Sequence, residues 1–361
     1  MLAFHPLSER WTTVSLTVDS RRAADEEELF RLYADVFGGS MTEASRRRWR
    51  WQYLDNPQTG GAPAIWVARE DGAVLGQYAS MPVRLWWSGR EVDASWGMDA
   101  FVREEARGKG VGAALFTAWS DNVEVALGLG LTPSSYGLFQ KLRYDDVGPV
   151  PFFFRPLDAR ALMRRRLGPG LGDAAGLVVA AALAVWRPER RCAHPDLEVR
   201  EVERVGTGAD ALWERARGSY AMCVRRDAAY LDWKYARCPH QTYELREVRR
   251  GRDLAGYAVS RQQDYRGVRL GWIVDLFTAG GDDDSRDALI GAVLEGFRHA
   301  GVARAQAFAM HGRLGAALRR RGFLEGRSPM QFCVRSRVAS GDVVQRRRDW
   351  HVVFGDSDMD R

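Results

Sequence analysis

The sequence predicts an α/β protein of the α+β type, with two tandem units that each hold a mixed, mostly antiparallel twisted sheet flanked by helices. Two observations lead to this prediction, the length of the chain and an internal repeat. A chain of 361 residues is too long for one typical domain and suits two. Its composition, with 46% hydrophobic and 28% charged residues, is typical of a globular protein with a substantial core.

The repeat is clearest in the pattern W-x-Y-x-x-x-P, which occurs at residues 51–57 and again at residues 233–239. Two short strands are predicted after each copy. A longer strand then ends with Asp, one residue and Phe, at 99–101 in the first half and at 275–277 in the second. A helix, a strand and a second helix follow in both halves, so the pattern predicts a duplicated α/β unit of about 130 residues.

The repeat predicts boundaries along the whole chain. They are an N-terminal segment at 1–21, a first unit at 22–157, a linker with a short apolar helix at 158–197, a second unit at 198–336 and a C-terminal tail at 337–361. The order of elements argues against a Rossmann domain, in which the glycine-rich turn follows the first strand.

Charge and cysteine usage narrow the classes of function. The net charge of +6 suits an anionic ligand or surface, but no basic stripe or aromatic platform accompanies it, so we expect no nucleic-acid partner. The four cysteines form no C-x-x-C pair and the six histidines are scattered, so we expect no metal site. Free thiols, and the lack of an apolar signal region after Met1, favour a cytoplasmic location.

The linker contains an apolar, alanine-rich stretch from Ala174 to Trp186, with arginines on both sides. As a helix its 13 residues span about 20 Å, which is too short for a hydrocarbon core of ~30 Å. Helix breakers between residues 168 and 172 oppose an N-terminal extension. We predict a packed or interfacial helix, and the flanking arginines leave peripheral contact with a membrane as an open alternative.

The turn Arg107-Gly108-Lys109-Gly110-Val111-Gly112 lies between a predicted strand and a predicted helix. Its three glycines let backbone N–H groups crowd towards one point. The helix N-terminus contributes a partial positive charge, and Arg107 and Lys109 contribute full charges. Together these features predict a phosphate cradle, although not a P-loop, because Gly-Lys-Ser/Thr is missing. The alternative is a glycine-rich turn that only reverses the chain.

Residues 102–112 resemble the pyrophosphate-binding motif of the GNAT acyltransferases, R/Q-x-x-G-x-G/A. Arg107, Gly110 and Gly112 fill its marked positions. The likeness in the order of helices and strands extends over about residues 22–150, and the repeat extends the fold over about 198–336.

This resemblance implies that the two units are tandem GNAT-like domains and that acetyl-CoA, or another acyl-CoA, is the co-substrate. It implies that the backbone amides of residues 108–112 bind the pyrophosphate of coenzyme A. It also implies that the pantetheine arm runs along the strand at Phe101 and Val102.

The second unit departs from the motif, because its corresponding turn reads Gly280-Gly281-Asp282-Asp283-Asp284-Ser285. Three carboxylates would lie where a pyrophosphate has to bind. At ~4 Å and an effective dielectric constant near 20, each unpaired like charge costs about 4 kcal/mol. We therefore expect only the first unit to bind coenzyme A, and the second to complete the acceptor cleft or to stabilise the first.

Acyl transfer to an amine needs a base for the amine proton, and the leaving thiolate gains from an acid. Asp99 is the candidate base, because many family members carry a strand carboxylate at this place and burial beside aromatic residues could raise its pKa. Its repetition as Asp275 leaves a structural role open. The family's tyrosine acid is replaced by Phe139, so Tyr136, one helical turn earlier, is the candidate acid, with a packing role as the alternative.

The resemblance implies an N-acyltransferase that acts on a small amine. Tandem GNAT-like proteins with a W-x-Y-x-x-x-P helix look similar to those associated with bacterial cell-surface polysaccharide synthesis, so an amino-sugar precursor is the first acceptor to consider. Two alternatives stay open, a non-catalytic coenzyme A-binding regulator or scaffold and a protein that binds no coenzyme A. The carboxylates of the tail, around Asp356, are candidates either for holding a cationic amine or for a solvated acidic end.

Overall fold

The computed structural model describes residues 16–59, 64–186, 195–338 and 342–360. The helices and strands of the first half are β1 (Leu16–Ser20), α1 (Glu26–Phe37), α2 (Glu43–Tyr53), β2 (Ile65–Glu70), β3 (Ala73–Trp87), β4 (Arg90–Val102), α3 (Val111–Ser120), β5 (Val125–Leu129), α4 (Pro133–Lys141) and β6 (Asp145–Pro149). Thr42 and Thr132 cap α2 and α4, since each side chain accepts a hydrogen bond from a backbone N–H three residues on. Such caps typically stabilise a helix by about 1 kcal/mol.

The linker and the second half continue the chain. Their elements are β7 (Phe152–Pro156), α5 (Ala159–Leu167), α6 (Leu171–Trp186), β8 (Leu197–Val202), α7 (Gly208–Ala216), β9 (Met222–Val224), α8 (Ala228–Leu231), β10 (Glu244–Arg250), β11 (Asp253–Tyr265), β12 (Val268–Thr278), α9 (Asp283–His299), β13 (Arg304–Phe308), α10 (Gly312–Arg320), β14 (Leu324–Gly326), β15 (Gln331–Ser336), α11 (Asp342–Gln345) and β16 (Trp350–His351). A π-helical turn, Asp232–Ala236, follows α8 directly.

The two halves build sheets with the same layout. The first sheet has the strand order β1-β2-β3-β4-β5-β15-β6, and the second has the order β8-β10-β11-β12-β13-β7-β14. Along both orders the neighbours are antiparallel except for the central pairs β4–β5 and β12–β13, which are parallel. The short β9 pairs with the C-terminal end of β3, and β16 pairs with β9. The predicted fold class, two mixed and mostly antiparallel sheets flanked by helices, is confirmed.

Along its main order each sheet contains one strand from the other half of the chain, and the short β9 and β16 of the second half extend the first sheet further. β7 follows β6 directly, yet it pairs with β13 and β14 in the second sheet. β15 lies in the second half of the sequence, yet it pairs with β5 and β6 in the first sheet. The predicted limits at 157 and 336 therefore do not separate the two sheets, and β1 adds a strand before the predicted limit at 22. A strand's own pattern shows which face is buried but not which of two similar sheets it joins.

The two W-x-Y-x-x-x-P segments meet where the halves join. The indole rings of Trp51 and Trp233 stack with their centroids 5.1 Å apart. The indole N–H of Trp51 donates to the backbone carbonyl of Trp233 at 2.8 Å, and the reverse bond is 2.9 Å long. Both rings belong to a buried cluster with side chains from both halves. The two units therefore share one core across this contact.

The linker forms a hairpin of α5 and α6. α6 begins at Leu171, whereas the sequence predicted a start at Ala174. Gly172 and Asp173 therefore lie inside the helix. The glycines that we read as helix breakers are tolerated because Gly172 packs against the backbone of α5. No helix among the described residues is long and apolar enough to cross a membrane. The arginines between 187 and 191 lie outside the described residues.

Candidate functional site

Residues 107–110 of the glycine-rich turn lie exposed beyond the end of β4, and Val111 is buried. Gly108 and Gly110 have φ angles of 77° and 85°, which residues with a side chain rarely adopt. α3 begins directly after Gly110, and no described side chain caps its first turn. The first N–H groups of the helix are therefore not used by a side chain, and the exposed Arg107 and Lys109 add positive charge beside them. This arrangement suits an anion.

A gap opens between β4 and β5 next to this turn. The two strands pair only from Ala94–Val125 to Trp96–Leu127, whereas β4 continues to Val102. The edge of β4 that faces β5 therefore has no ladder partner in β5 along residues 98–102. Backbone groups on that edge are available to an extended ligand that lies in the gap. Phe101 and Val102, predicted to contact the pantetheine arm, lie on this stretch.

Asp99 lies in a β-bulge at the inner end of the gap. β4 pairs with β3 at Phe101–Gln77 and at Met98–Ala79, so two residues of β4 oppose one residue of β3 between these pairs. Asp99 itself has a left-handed φ of 41°. Such a conformation is strained in a residue other than glycine, and strain of this kind is found most often at functional sites.

The side chain of Asp99 is half-buried and accepts hydrogen bonds from two tyrosines. The hydroxyl of Tyr53, from the W-x-Y motif, donates at 2.5 Å, and that of Tyr33 on α1 donates at 3.2 Å. Gln77 completes the cluster, because its amide donates to the Tyr33 hydroxyl at 3.1 Å and to the Asp99 backbone carbonyl at 3.2 Å. Burial, followed by the charge of Asp99, raises the pKa of Tyr33 well above its usual value, so this hydroxyl keeps its proton.

α4 carries the position where an acid was expected. Phe139 is buried, and its ring packs against Gly128 of β5. Tyr136 donates a hydrogen bond to the Asp146 carboxylate at 2.6 Å, and mainly this bond raises the pKa of Tyr136 to about 12. A free thiol has a pKa near 8.5. In this state Tyr136 therefore holds its proton more tightly than a departing thiolate would.

Residues 17–145, which contain the turn, the gap, the bulge and α4, match the family model of the acetyltransferase (GNAT) domain. This part of the chain is a GNAT domain. No curated protein sequence matches the chain. The predicted resemblance is thus confirmed for the unit that carries the glycine-rich turn.

Solved structures share the fold over nearly the whole chain. A GCN5-related N-acetyltransferase from Anabaena variabilis has a TM-score of 0.60 at 14% identity, with 89% of this chain and 72% of that chain covered. A probable N-acyltransferase from Enterococcus faecalis has a TM-score of 0.59 at 14% identity, with coverages of 88% and 72%. The N-myristoyltransferase of Saccharomyces cerevisiae with bound myristoyl-CoA has a TM-score of 0.54 at 13% identity, with coverages of 94% and 89%. At these identities the likeness establishes the fold, and it includes the second unit.

In the second GNAT-like unit the turn is occupied by its own side chains. Asp282 caps α9, because its carboxylate accepts a hydrogen bond from the backbone N–H of Ser285 at 3.1 Å. Asp283 forms an ion pair with Arg286. The acidic residues are therefore partnered within the protein, and the place of a phosphate is taken by a carboxylate. The repulsion expected from unpaired carboxylates therefore does not apply to this turn.

The gap of the second unit is filled by the C-terminal tail. β12 and β13 part after the pair Ile273–Ala307, just as β4 and β5 part in the first unit. Met310 donates its backbone N–H to the carbonyl of Val352 at 3.0 Å, and the Phe354 ring stacks on Trp272 with centroids 4.4 Å apart. The tail thus occupies the position that is open beside β4.

A buried arginine ties the tail to the counterpart of Asp99. The guanidinium of Arg226 lies 3.2 Å from the Asp275 carboxylate and 2.7 Å from that of Asp356. Asp275 also accepts hydrogen bonds from Tyr235, of the second W-x-Y motif, and from Tyr257. The Asp275 carboxylate is thus fully engaged in the interior. The tail carboxylate of Asp356, which we had considered for binding an amine, belongs to this buried network.

Sequence reasoning missed the partners of Asp99. Tyr53 and Asp99 recur together as Tyr235 and Asp275, and this joint repetition was a signal that the tyrosine and the carboxylate touch. Tyr33 carried no such signal, because its place beside Asp99 depends on how α1 packs. Among the described residues no group of three metal-binding side chains comes together. Cys223, Cys238 and Cys333 are free thiols, and Cys192 lies outside the described residues.

Proposed function

We propose that this protein is an N-acyltransferase that transfers the acyl group of acetyl-CoA, or of another acyl-CoA, to a small amine. The observation that carries the proposal is the continuous path in the first unit. It runs from the glycine-rich turn at 107–112, along the part of β4 beyond its pairing with β5, to the carboxylate of Asp99. Pyrophosphate, pantetheine and thioester would take these three places in order.

In the proposed reaction the amine nitrogen attacks the thioester carbonyl carbon, and the C–S bond breaks as the C–N bond forms. Asp99 accepts the proton that the amine loses, directly or through the hydroxyl of Tyr53. The thiolate leaves without obligatory protonation, because its conjugate acid has a pKa near 8.5. Solvent then protonates it, and Tyr136 could do so only after releasing Asp146.

The surroundings of Asp99 favour a cationic acceptor. Phe37, at the end of α1, is 67% exposed, and its ring lies 5.9 Å from the Tyr33 ring and 5.6 Å from the Phe101 ring. A carboxylate near an exposed aromatic ring attracts an ammonium group, which releases one proton to solvent before the neutral amine attacks. Amino sugars are the first class of acceptor to test, with polyamines as the second.

Two measurements test the proposal together. Calorimetry measures coenzyme A binding, and a free-thiol assay follows turnover of acetyl-CoA with each amine. Acylation of any amine, lost in Asp99→Asn while binding is retained, supports the proposal. Binding without turnover favours a coenzyme A-binding regulator, which the buried Phe139 in place of the family's tyrosine makes the second candidate. Absence of binding overturns both.

A further inference from the structure

The α5–α6 hairpin stands on the outside of the second sheet. Ala161 and Leu162 of α5 pack against a small cluster that includes Leu270 of β12. α6 contacts α5 through Gly172 and Gly176, one turn apart. A Cβ atom at these positions would lie 2.5 Å from the Cα of an α5 residue at Gly172 and 2.6 Å at Gly176. The small face of α6 is thus pressed onto α5, and its opposite face points away from the protein.

That outer face of α6 is apolar. Leu171, Leu177, Val178 and Val185 are 76%, 56%, 70% and 75% exposed. At 100° per residue, Leu177, Val178 and Val185 lie on the side of the helix opposite to Gly172 and Gly176. Single exposed apolar residues are ordinary, but several on one helix face form the kind of patch that marks an interaction surface.

Exposed arginines lie at the end of α5, beside the turn that leads into α6. Arg165 and Arg166 are exposed there, and Arg164 forms an ion pair with Asp173 of α6. The guanidinium of Arg165 lies over the ring of Tyr265, with 5.8 Å from the Arg165 Cζ to the ring centroid. Tyr265, the last residue of β11, is itself 44% exposed. An exposed apolar helix face, with arginines and an aromatic side chain near one end of the hairpin, is a combination that binds the interface of an anionic bilayer.

We propose that the α5–α6 hairpin docks this protein on an anionic lipid bilayer. α6 has 16 residues and is about 24 Å long, so it lies in the interface and does not span a hydrocarbon core of ~30 Å. Its outer face enters the boundary between headgroups and acyl chains, and Arg165 and Arg166 bind lipid phosphates and carboxylates. The arginines favour an anionic bilayer over a second copy of this chain, which would bring the same positive charge. The proposal does not depend on the proposed acyl transfer.

Co-sedimentation with vesicles of phosphatidylcholine, with and without phosphatidylserine, tests the proposal on the full chain. We expect binding to the phosphatidylserine vesicles that weakens as salt is added. The double variant Leu177→Glu/Val178→Glu should lower the partition coefficient by at least roughly a hundredfold, since two apolar contacts are replaced by charges. Arg165→Gln/Arg166→Gln should lower it by roughly thirtyfold on anionic vesicles and have little effect on neutral ones.

Leu16→Glu is the matched control, because Leu16 is an exposed leucine (37%) on β1 of the other sheet. It should bind vesicles like the wild type. Thermal unfolding and coenzyme A binding report that each variant keeps its fold. Wild-type protein that stays in the supernatant with phosphatidylserine vesicles overturns the proposal. A second outcome would also overturn the proposal. If the wild type sediments as a dimer without lipid and the variant Leu177→Glu/Val178→Glu sediments as a monomer, the face is a contact between copies of the chain.

Discussion

Asp99 and Asp275 occupy equivalent places in the two units, yet their neighbours give them different chemistry. Both accept a hydrogen bond from the tyrosine of the W-x-Y motif. Asp275 is almost fully buried and paired with Arg226, so its charge is neutralised inside the protein. Asp99 is half-buried beside the open gap of the first unit. The tyrosine contact is thus common to both units, and of the two carboxylates it is Asp99 that borders a gap between strands.

We expect Asp99→Asn to lower kcat by roughly 10²–10³-fold, because an amide cannot accept the amine proton. The dissociation constant for coenzyme A should change little, since the phosphate turn is untouched. Tyr53→Phe removes one hydrogen bond to the base and should cost about tenfold in kcat. The second unit supplies the matched control, Tyr235→Phe, which should lower stability but leave kcat near the wild-type value. Equal losses of kcat in the two tyrosine variants would contradict a catalytic Asp99.

Two buried histidines make the second unit sensitive to acid. The rings of His311 and His351 lie 6.0 Å apart. Burial, followed by nearby arginines, lowers the pKa of His311 to about 4 and that of His351 well below its usual value. The unfolded chain has histidine pKa values near 6.5 and takes up protons first, so the folded state loses stability as the pH falls below about 6.5. For His311 alone the loss by pH 4 is about 3 kcal/mol.

Urea denaturation at a series of pH values checks this expectation. The midpoint should be constant above about pH 7 and fall progressively below about pH 6.5. His351→Phe should flatten the dependence, because it removes one of the two buried groups that resist protonation. His299→Gln, at an exposed position of α9, should leave the dependence unchanged. A midpoint of the wild type that is independent of pH would contradict the assignment.

Among the elements, the turn before α3 has the most direct test. Gly110 needs a left-handed backbone, which asparagine tolerates better than most residues with a side chain. Gly110→Asn and Gly110→Asp have nearly the same shape and differ by one negative charge. We expect Gly110→Asp to bind coenzyme A roughly a hundredfold more weakly than Gly110→Asn, because the added charge faces the pyrophosphate. Gly281→Asp, in the turn of the second unit, should have no effect on binding in calorimetry.

For the whole molecule, the exchanged strands β7 and β15 have a thermodynamic consequence. Each sheet is incomplete without a strand of the other half, and the core around Trp51 and Trp233 is shared. We expect one cooperative unfolding transition, with tryptophan fluorescence and coenzyme A binding lost over the same range of urea. Phe153→Ala, in β7, should lower stability by about 3–5 kcal/mol and shift both signals together. Two separate transitions would show that the sheets fold independently.

The fold class and the position of the glycine-rich turn were accessible from the sequence because both depend on local patterns. The turn at 107–112 needs only glycines, cations and a following helix, and the structure places these elements as predicted. The duplication was visible because W-x-Y-x-x-x-P and Asp-x-Phe recur at matching offsets. The predicted start of α6 at Ala174 was wrong, since Gly172 counted as a helix breaker. The tolerance of Gly172 in the helix depends on its contact with α5, which no local pattern contains.

The sequence by itself determined two α/β units and which of them retains the glycine-rich turn. Only the tertiary structure decided that the units exchange β7 and β15, because two sheets of the same layout offer equivalent edges to a strand. It also decided that Asp275 is buried and paired with Arg226, whereas Asp99 is half-buried beside the gap of the first unit. Their local sequences are alike, but the C-terminal tail, more than 70 residues further along the chain, fills the gap beside Asp275 and pairs with Arg226 there. Contacts between distant segments, which local patterns do not encode, therefore separate the open site from the closed one.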